Sequence, residues 1–326
     1  MDTFLPLLGG LVLLIVGGEL LVRGAVGVAT RLGVSPLVIG LTLVGFGTST
    51  PELVTSVQAS LSGSPGIAYG NIVGSNMANA LLILGASAAI MPIAVQSKAL
   101  KRDGAVMLAV TLLFALAAWF GVMNRLVGAL FLLALVGYIY LAFRTERTTE
   151  VVDHGAVYDK SAAAQGADAA LVPDPARGGS VVVSLLVALF GLALVVGGGY
   201  FLVDGAVSLA RDFGISETVI GLTIVAVGTS MPELVTSLVA AVRKQADVAF
   251  GNIIGSNIYN LIGIGGTTAL IAPAPVPAEI IGFDIPVLIV ISLLVILFAA
   301  TGRSIDRREG IVLVAGYVLY TVLIWP

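Results

Sequence analysis

The sequence predicts an all-α membrane protein with ten transmembrane helices, arranged as two inverted-topology five-helix repeats. Three observations carry this prediction: an apolar composition, a one-sided distribution of positive charge, and a long internal repeat. Of the 326 residues, 58% are hydrophobic and 11% are charged, and the mean hydropathy is +1.08. Soluble domains carry about twice that share of charge, so the composition indicates a chain that crosses the membrane many times.

Composition also excludes several function classes. The chain has no cysteine, which removes disulfides, thiol nucleophiles and Cys-based metal sites. Its net charge of −3 offers no basic surface for nucleic acid. The N-terminal "MDTFLPLLGG" lacks the positive region of a cleavable signal peptide, so we expect the first apolar segment to remain as a span.

Apolar runs of about 20 residues have the length of a membrane-crossing helix. The polar stretch 144–179 between the fifth and sixth runs is rich in Ala and Gly, which predicts a flexible, cytoplasmic connector. The predicted organisation is a first five-span repeat at 1–143, this connector, and a second five-span repeat at 180–326. The ten predicted spans lie near residues 4–22, 34–61, 66–91, 103–121, 125–143, 180–203, 215–242, 247–272, 283–301 and 309–325.

Positive charge sets the predicted orientation. With the N-terminus outside, only Arg125 and Arg211 lie outside, and the other fourteen of the sixteen Lys and Arg residues, Lys160 among them, lie inside. Cytoplasmic loops carry this kind of excess. Because the span count is even, both termini are predicted to be extracytoplasmic, in a multi-pass protein of the cell (inner) membrane.

The internal repeat has a spacing of 181 residues. Residues 24–85 align with residues 205–266 without a gap, and "GLTLVGFGTSTPELVTS" matches "GLTIVAVGTSMPELVTS" at 13 of 17 positions. Because each half has an odd number of spans, the second half enters the membrane from the opposite side. Inverted repeats of this kind place their sites near the midplane of transporters.

A proline and a glutamate recur within the repeated spans. Pro51 and Pro232 lack an N–H and clash with the carbonyl four residues earlier, so each predicts a broken or kinked helix. Freed carbonyls cannot face lipid and must be buried or line a wet cavity. Glu52 and Glu233 are expensive at membrane depth, so we interpret them as functional rather than as neutral packing residues.

Polar side chains accompany both glutamates and form stripes on the following spans. Thr48 and Thr229 precede the glutamates by four residues, the spacing of one helical face. The stripe residues recur at i, i+4 and i+8, a helical spacing, although polar residues of this kind also serve simply to join helices. The set comprises Ser49 and Ser230 beside the breaks, then Asn71, Ser75 and Asn79, and Asn252, Ser256 and Asn260 on the stripes.

The combined donor set is two carboxylates with hydroxyl, amide and carbonyl oxygens, and no nitrogen or sulfur donor. Oxygen-only sites select hard cations, and Ca²⁺ takes six to eight oxygens. Two ionised glutamates neutralise one Ca²⁺ or two Na⁺. Asn71 and Asn252 lie furthest along the stripes and are the members most easily explained as structural.

At these residues the sequence resembles the cation/Ca²⁺ exchanger superfamily, and most closely its prokaryotic Na⁺/Ca²⁺ exchangers (calcium/sodium antiporters). The segments "GTSTPELVTS…GNIVGSNMAN" and "GTSMPELVTS…GNIIGSNIYN" carry the resemblance. It implies an antiporter, not an enzyme, that needs no cofactor, works as a monomer in the bilayer, and holds Ca²⁺ or Na⁺ in alternation. It also implies that the spans around Gly24 and Gly205 are long sliding helices.

The resemblance further implies a set of ligands. Glu52 and Glu233, with the carbonyls of Thr48 and Thr229, correspond to Ca²⁺ ligands. Some relatives have an aspartate where Asn260 stands, so this site has one carboxylate fewer. The positions that correspond to Na⁺ ligands are the side chains of Ser49, Ser230, Ser75, Ser256, Asn79 and Asn260 and the carbonyls of Gly45 and Ala226.

Three alternatives stay open. In an H⁺/Ca²⁺ antiporter the two glutamates would carry protons in place of Na⁺. A passive cation channel needs no counter-ion, although inverted repeats with broken helices favour alternating access. An intramembrane hydrolase with acidic residues as general acid and base would also need a positioned water and a histidine, metal or aspartate dyad, and no predicted span carries one.

Two further features are interpreted as structural. Asp153, His154 and Asp159 in the connector have no recognisable metal-ligand spacing, so we expect a solvated loop. Glu19 and Arg23 are four residues apart and predict an ion pair at a membrane interface.

Overall fold

The computed structural model describes residues 4–34, 39, 42–43, 45–95, 98–121, 123–146, 155–172, 180–243, 245–301 and 304–326. The described chain is almost entirely helical. Its first half contains α1 (Phe4–Arg31), α2 (Gly45–Gly47), α3 (Thr50–Leu61), α4 (Pro65–Met77), a π-helical turn (Ala78–Ile83), α5 (Leu84–Ile90), strand β1 (Ile93–Ala94), α6 (Lys98–Trp119) and α7 (Arg125–Glu146).

A connector helix, α8 (Ala156–Ala167), and a 3₁₀ turn (Ala169–Leu171) follow. The second half contains α9 (Val181–Phe213), α10 (Glu217–Ile220), a π turn (Gly221–Val225), α11 (Ala226–Thr229), α12 (Met231–Val242), α13 (Ala246–Ile258), a π turn (Tyr259–Ile264), α14 (Gly265–Ile271), a π turn (Ile280–Asp284), α15 (Ile285–Thr301), strand β2 (Ser304–Ile305) and α16 (Arg307–Ile324). The two strands pair antiparallel, with Ile93 opposite Ile305.

Six helices of the described chain are long and apolar enough to cross a membrane. A seventh candidate is the pair Glu217–Thr229 and Met231–Val242, bent by 49°. These seven coincide with seven of the ten predicted spans; the predictions at 34–61, 247–272 and 309–325 gain no such support, so the count of ten stays a prediction. The six helices cover Phe4–Arg31, Pro65–Ile90, Arg102–Trp119, Arg125–Arg144, Val181–Phe213 and Ile280–Ala300.

The 181-residue repeat is visible in the helix boundaries. Thr50–Leu61 corresponds residue for residue to Met231–Val242, and Pro65–Met77 to Ala246–Ile258. Even the π turn at Ala78–Ile83 has its counterpart at Tyr259–Ile264. The shared turns and prolines therefore fold the same way twice.

Helices α1 and α9 pack along each other through glycines. A Cβ built on Gly10 would lie 2.4 Å from the backbone N of Leu202, and one on Gly191 would lie 2.3 Å from the N of Leu21. Only glycine permits this backbone approach. The N-cap of helix α9 is Ser180, whose Oγ accepts from the N–H of Val182, and the residue after its last turn is Gly214, whose φ is +65°.

Helices α4 and α13 lie at the centre of the protein. Every residue from Gly66 to Met77 is buried, and Ile253, Ile254 and Ile258 of α13 belong to the same hydrophobic core. The polar stripes predicted on these helices are therefore inside the protein rather than against lipid.

The expectation of a flexible, solvated connector is wrong for residues 156–167. This alanine-rich segment forms the connector helix, and its Val157, Lys160 and Ala164 are at most 1% exposed. Alanine has the highest helix propensity, and its small side chain lets the helix enter a narrow space. Asp159 is also buried, whereas Asp153 and His154 lie outside the described residues.

Candidate cation site

Both glutamates lie in the first turn of a helix that follows a break. Ser49 precedes α3 and Ser230 precedes α12, with ψ angles of 15° and 9° that interrupt the preceding helical run. The prolines stand at the start of these helices, where a missing N–H does no harm. The predicted break is therefore confirmed, and each carboxylate lies at the positive end of a helix dipole.

Crossed hydrogen bonds join the two repeats at their glutamates. Ser49 Oγ donates to Glu233 Oε1 at 2.6 Å, and Ser230 Oγ donates to Glu52 Oε1 at 3.0 Å. Thr48 Oγ1 also donates to Glu233 Oε1, at 3.1 Å. Both carboxylates are at most 1% exposed, so the repeats meet at one buried site.

Asn71 and Asn252, the first residues of the two stripes in chain order, hold the backbone of the glutamate helices. Asn71 Nδ2 donates to the carbonyl of Glu52 at 3.1 Å and to Ser56 Oγ at 2.9 Å. Asn252 Nδ2 does the same for Glu233 at 3.4 Å and Ser237 at 2.8 Å. These contacts give Asn71 and Asn252 a structural role, as expected, but the expectation that they lie far from the glutamates is wrong, because each binds the glutamate backbone directly.

The first stripe also reaches the other repeat. Thr229 Oγ1 lies 3.0 Å from Asn71 Oδ1, and Ser75 Oγ donates to that same oxygen at 3.4 Å. Asn79 Nδ2 donates to Asn257 Oδ1 at 3.1 Å. Asn257 occupies the repeat position of Asn76 in the doubled "GSN", a signal that would have identified both as polar groups of the core.

Several buried oxygens near these bonds make no hydrogen bond within the described part of the chain. They are the second carboxylate oxygens of Glu52 and Glu233 and the side-chain oxygens of Asn79 and Asn260. Asn79 and Asn260 stand in the two equivalent π turns, which in general occur often at functional sites. Unpaired buried acceptors are costly, and an oxygen-coordinated cation would satisfy them.

The backbone ligands implied by the resemblance lie just before the breaks. Gly45 and Ala226 are buried. The Ala226 carbonyl accepts from the N–H of Ser230 at 3.0 Å and lies 3.3 Å from Thr229 Oγ1. This carbonyl is therefore already engaged within the protein.

Sequence reasoning missed Lys160. This side chain extends from the connector helix into the site and is 0% exposed. Its Nζ lies 2.5 Å from Ser256 Oγ, 3.0 Å from Thr48 Oγ1, and 3.2 Å from both Ser49 Oγ and Glu233 Oε1. The sequence contained one signal for this helix and its role: a single lysine within the alanine-rich segment "AVYDKSAAAQGA".

Comparison with known proteins assigns the chain to a family. The family model described as "Sodium/calcium exchanger protein" matches residues 3–144 and 183–325. The chain belongs to the sodium/calcium exchanger family. It is therefore an antiporter of a membrane-transporter family, as the doubled motifs indicated.

Relatives of this exchanger align over nearly their whole length. The Putative antiporter CaxA of Alkalimonas amylolytica is 38% identical, over 97% of this chain and 96% of its own. The Sodium/calcium exchanger MaX1 of Methanosarcina acetivorans is 38% identical, over 99% of this chain and 98% of its own. The Inner membrane protein YrbG of Escherichia coli is 32% identical, over 98% and 95%.

The fold is shared with a solved exchanger. The sodium-calcium exchanger NCX_Mj soaked with 10 mM Na⁺ and 10 mM Sr²⁺ superposes with a TM-score of 0.62 at 34% identity. The match covers 98% of this chain and 97% of that one. The exchanger described here is thus an all-helical membrane protein with the architecture of that structure.

Proposed function

We propose that this exchanger moves Na⁺ and Ca²⁺ in opposite directions by alternating access at the site between Glu52 and Glu233. The observation that carries the proposal is the crossed pair of Ser49–Glu233 and Ser230–Glu52 hydrogen bonds. It brings one carboxylate from each repeat to a single buried place. Relatives named as sodium/calcium exchangers support the same cation pair.

Charge and donor type favour these ions. Two carboxylates balance one Ca²⁺ or two Na⁺, and the surrounding donors are hydroxyl and amide oxygens, which hard cations prefer. The proposed ligands are Glu52, Glu233 and the carbonyls of Thr48 and Thr229 for Ca²⁺. For Na⁺ they are Ser49, Ser230, Ser75, Ser256, Asn79, Asn260 and the carbonyls of Gly45 and Ala226.

Alternating access follows from the proposed inverted arrangement of the repeats. A site at the interface of two inverted halves opens to either face when one part rocks or slides against the other. The glycine-lined crossing of α1 and α9 supports this movement, because smooth backbone contact lets two helices slide. We propose that one monomer in the inner membrane, with both termini extracytoplasmic, suffices.

Coupling to protons is the second candidate, since buried carboxylates can carry H⁺. The neutral oxygens favour Na⁺, because a proton needs one acceptor and Na⁺ needs several. Purified protein in liposomes loaded with Na⁺ should accumulate Ca²⁺ when diluted into Na⁺-free buffer at equal pH. Ca²⁺ uptake under a pH gradient of equal energy, with none under the Na⁺ gradient, would replace the first proposal with the second.

A further inference from the structure

We propose that Lys160 is a tethered competitor of the transported cations and that the connector helix is an autoinhibitory plug. On this proposal the helix must withdraw before Na⁺ or Ca²⁺ binds from the side of the connector. The inference rests on the proposed cation site, because three of the four oxygens that hold the ammonium group are proposed ligands of that site.

The contacts of Lys160 duplicate those expected of a bound cation. Its ammonium group has three N–H donors and lies within 3.2 Å of four oxygens, from Thr48, Ser49, Glu233 and Ser256. The side chains of Ser49, Glu233 and Ser256 are in the proposed ligand set, and Thr48 is in it through its carbonyl. A metal ion needs these three side-chain oxygens at shorter distances, so ammonium and metal ion exclude each other.

Charge balance leads to the same conclusion. Glu52 and Glu233 together carry two negative charges when ionised, and Lys160 returns one positive charge to the site. The remaining single negative charge does not balance Ca²⁺. Withdrawal of Lys160 without a replacement cation would leave Glu233 buried and unpaired, which is strongly destabilising, so exchange of the ammonium group for a metal ion is the favourable path.

The repeat gives the site two equivalent sets of side chains, and Lys160 contacts only one of them. The repeat positions of Ser49, Glu233 and Ser256 are Ser230, Glu52 and Ser75. In that second half, Ser230 donates to Glu52, and within the described residues no lysine contacts these three side chains. The connector therefore breaks the symmetry that duplication built into the site.

The connector helix lies against a groove lined by glycines. A Cβ on Gly251 would lie 2.2 Å from Asp159 Cβ, and one on Gly255 would lie 3.1 Å from the Ala156 carbonyl. The equivalent glycines of the first repeat, Gly70 and Gly74, instead contact residues 218–226 of the second repeat. The connector helix thus packs on a face that the other half uses for contact between the repeats.

Polar contacts hold both ends of the connector helix. At its start, the N–H of Ala156 donates to Asp103 Oδ2 at 2.7 Å, where a negative charge also favours a helix N-terminus. At its end, Arg23 Nε donates to Asp168 Oδ2 at 2.8 Å. The family-model match omits residues 145–182, a range that includes the connector helix.

Transport kinetics test the plug. Lys160→Met removes the charge and keeps most of the apolar stem. In vesicles whose connector side faces the bath, we expect the half-saturating Ca²⁺ concentration to fall with an unchanged maximal rate. If the plug occupies about nine-tenths of wild-type molecules, the fall is about tenfold. Arg308→Gln removes an exposed charge predicted on the same side and should change neither value.

The outcomes separate the two proposals. An unchanged half-saturating concentration in Lys160→Met, or a lost maximal rate, would refute the plug. Absence of Ca²⁺ flux in the wild-type protein would instead refute the proposed function. The comparison varies Ca²⁺ on one side only, so it holds whichever counter-ion drives transport.

Labelling of a single cysteine tests withdrawal with Lys160 in place. The chain has no native cysteine, and Ala164 is 1% exposed beside Val22 and Leu171. An Ala164→Cys variant should react slowly with a membrane-impermeant maleimide in choline buffer and several-fold faster in saturating Ca²⁺. An Arg308→Cys variant should react at one rate in both buffers. Equal rates for Ala164→Cys with and without Ca²⁺ would overturn the proposal.

Discussion

Ser49 donates a 2.6 Å hydrogen bond to Glu233, a residue 184 positions later in the chain. This bond, with its counterpart from Ser230 to Glu52, makes each repeat hold the carboxylate of the other. Each serine hydroxyl binds one oxygen of the carboxylate, and the second oxygen makes no hydrogen bond within the described part of the chain. Neither half of the protein therefore completes the site alone.

Neutralising either glutamate should abolish transport. In Glu52→Gln or Glu233→Gln the site retains one carboxylate, which cannot balance a dehydrated Ca²⁺ ion. We expect ⁴⁵Ca²⁺ flux in liposomes to fall to the level of protein-free liposomes. Glu217→Gln, which changes a carboxylate in the first turn of α10, should retain flux. Wild-type flux in either glutamine variant of the pair would place the site elsewhere.

Asn71→Ala should leave substantial transport but lower stability. Its side chain holds the Glu52 carbonyl and Ser56, so its loss leaves buried polar groups unpaired at a cost of about 1–3 kcal/mol in the free energy of unfolding. Thermal unfolding in detergent and Ca²⁺ flux, measured together, separate the two effects. Complete loss of flux at unchanged stability would make Asn71 a direct ligand.

Asn260→Asp should tighten divalent binding. The Asn260 side chain is buried and makes no hydrogen bond within the described chain, so an added carboxylate would face the cation. We expect the Ca²⁺ dissociation constant to fall about tenfold, or ~1.4 kcal/mol, and Na⁺ to compete less well. Calorimetric titration measures both. Asn124→Asp, at an exposed helix start, is the control, and equal affinities in the two variants would contradict the assignment of Asn260.

Two adjacent glycines offer a matched test of the α1–α9 contact. A Cβ at Gly10 would lie 2.4 Å from Leu202 N, whereas one at Gly9 meets nothing within 4 Å. Gly10→Ala should therefore destabilise the protein by about 1–3 kcal/mol through overpacking and slow exchange. Gly9→Ala has the same effect on helix propensity without the clash. Equal melting temperatures for both variants would show that the helices separate easily.

Much of the candidate site could be predicted from the sequence, because its motif occurs twice in the chain. A repeat spacing of 181 residues identified Glu52, Glu233 and their serine neighbours, and proline chemistry predicted the breaks before them. The Glu19–Arg23 ion pair is also confirmed, with Asp168 as an additional partner of Arg23. These features depend on local covalent structure and on periodicity, which the order of residues contains directly.

The sequence by itself determined the membrane class, the repeat and the acidic, oxygen-rich donor set. Only the tertiary structure decided which hydroxyl meets which carboxylate, and that Lys160 enters the site. Composition marked the connector as a solvated loop because its residues are small and polar on average. Its burial depends instead on a glycine-lined groove about 90 residues later in the chain, at Gly251 and Gly255. Lys160 is far from Glu233 in the sequence but pairs with it in the folded protein. The energy of such a charge pair depends on the distance between the two groups in space, which the sequence does not give.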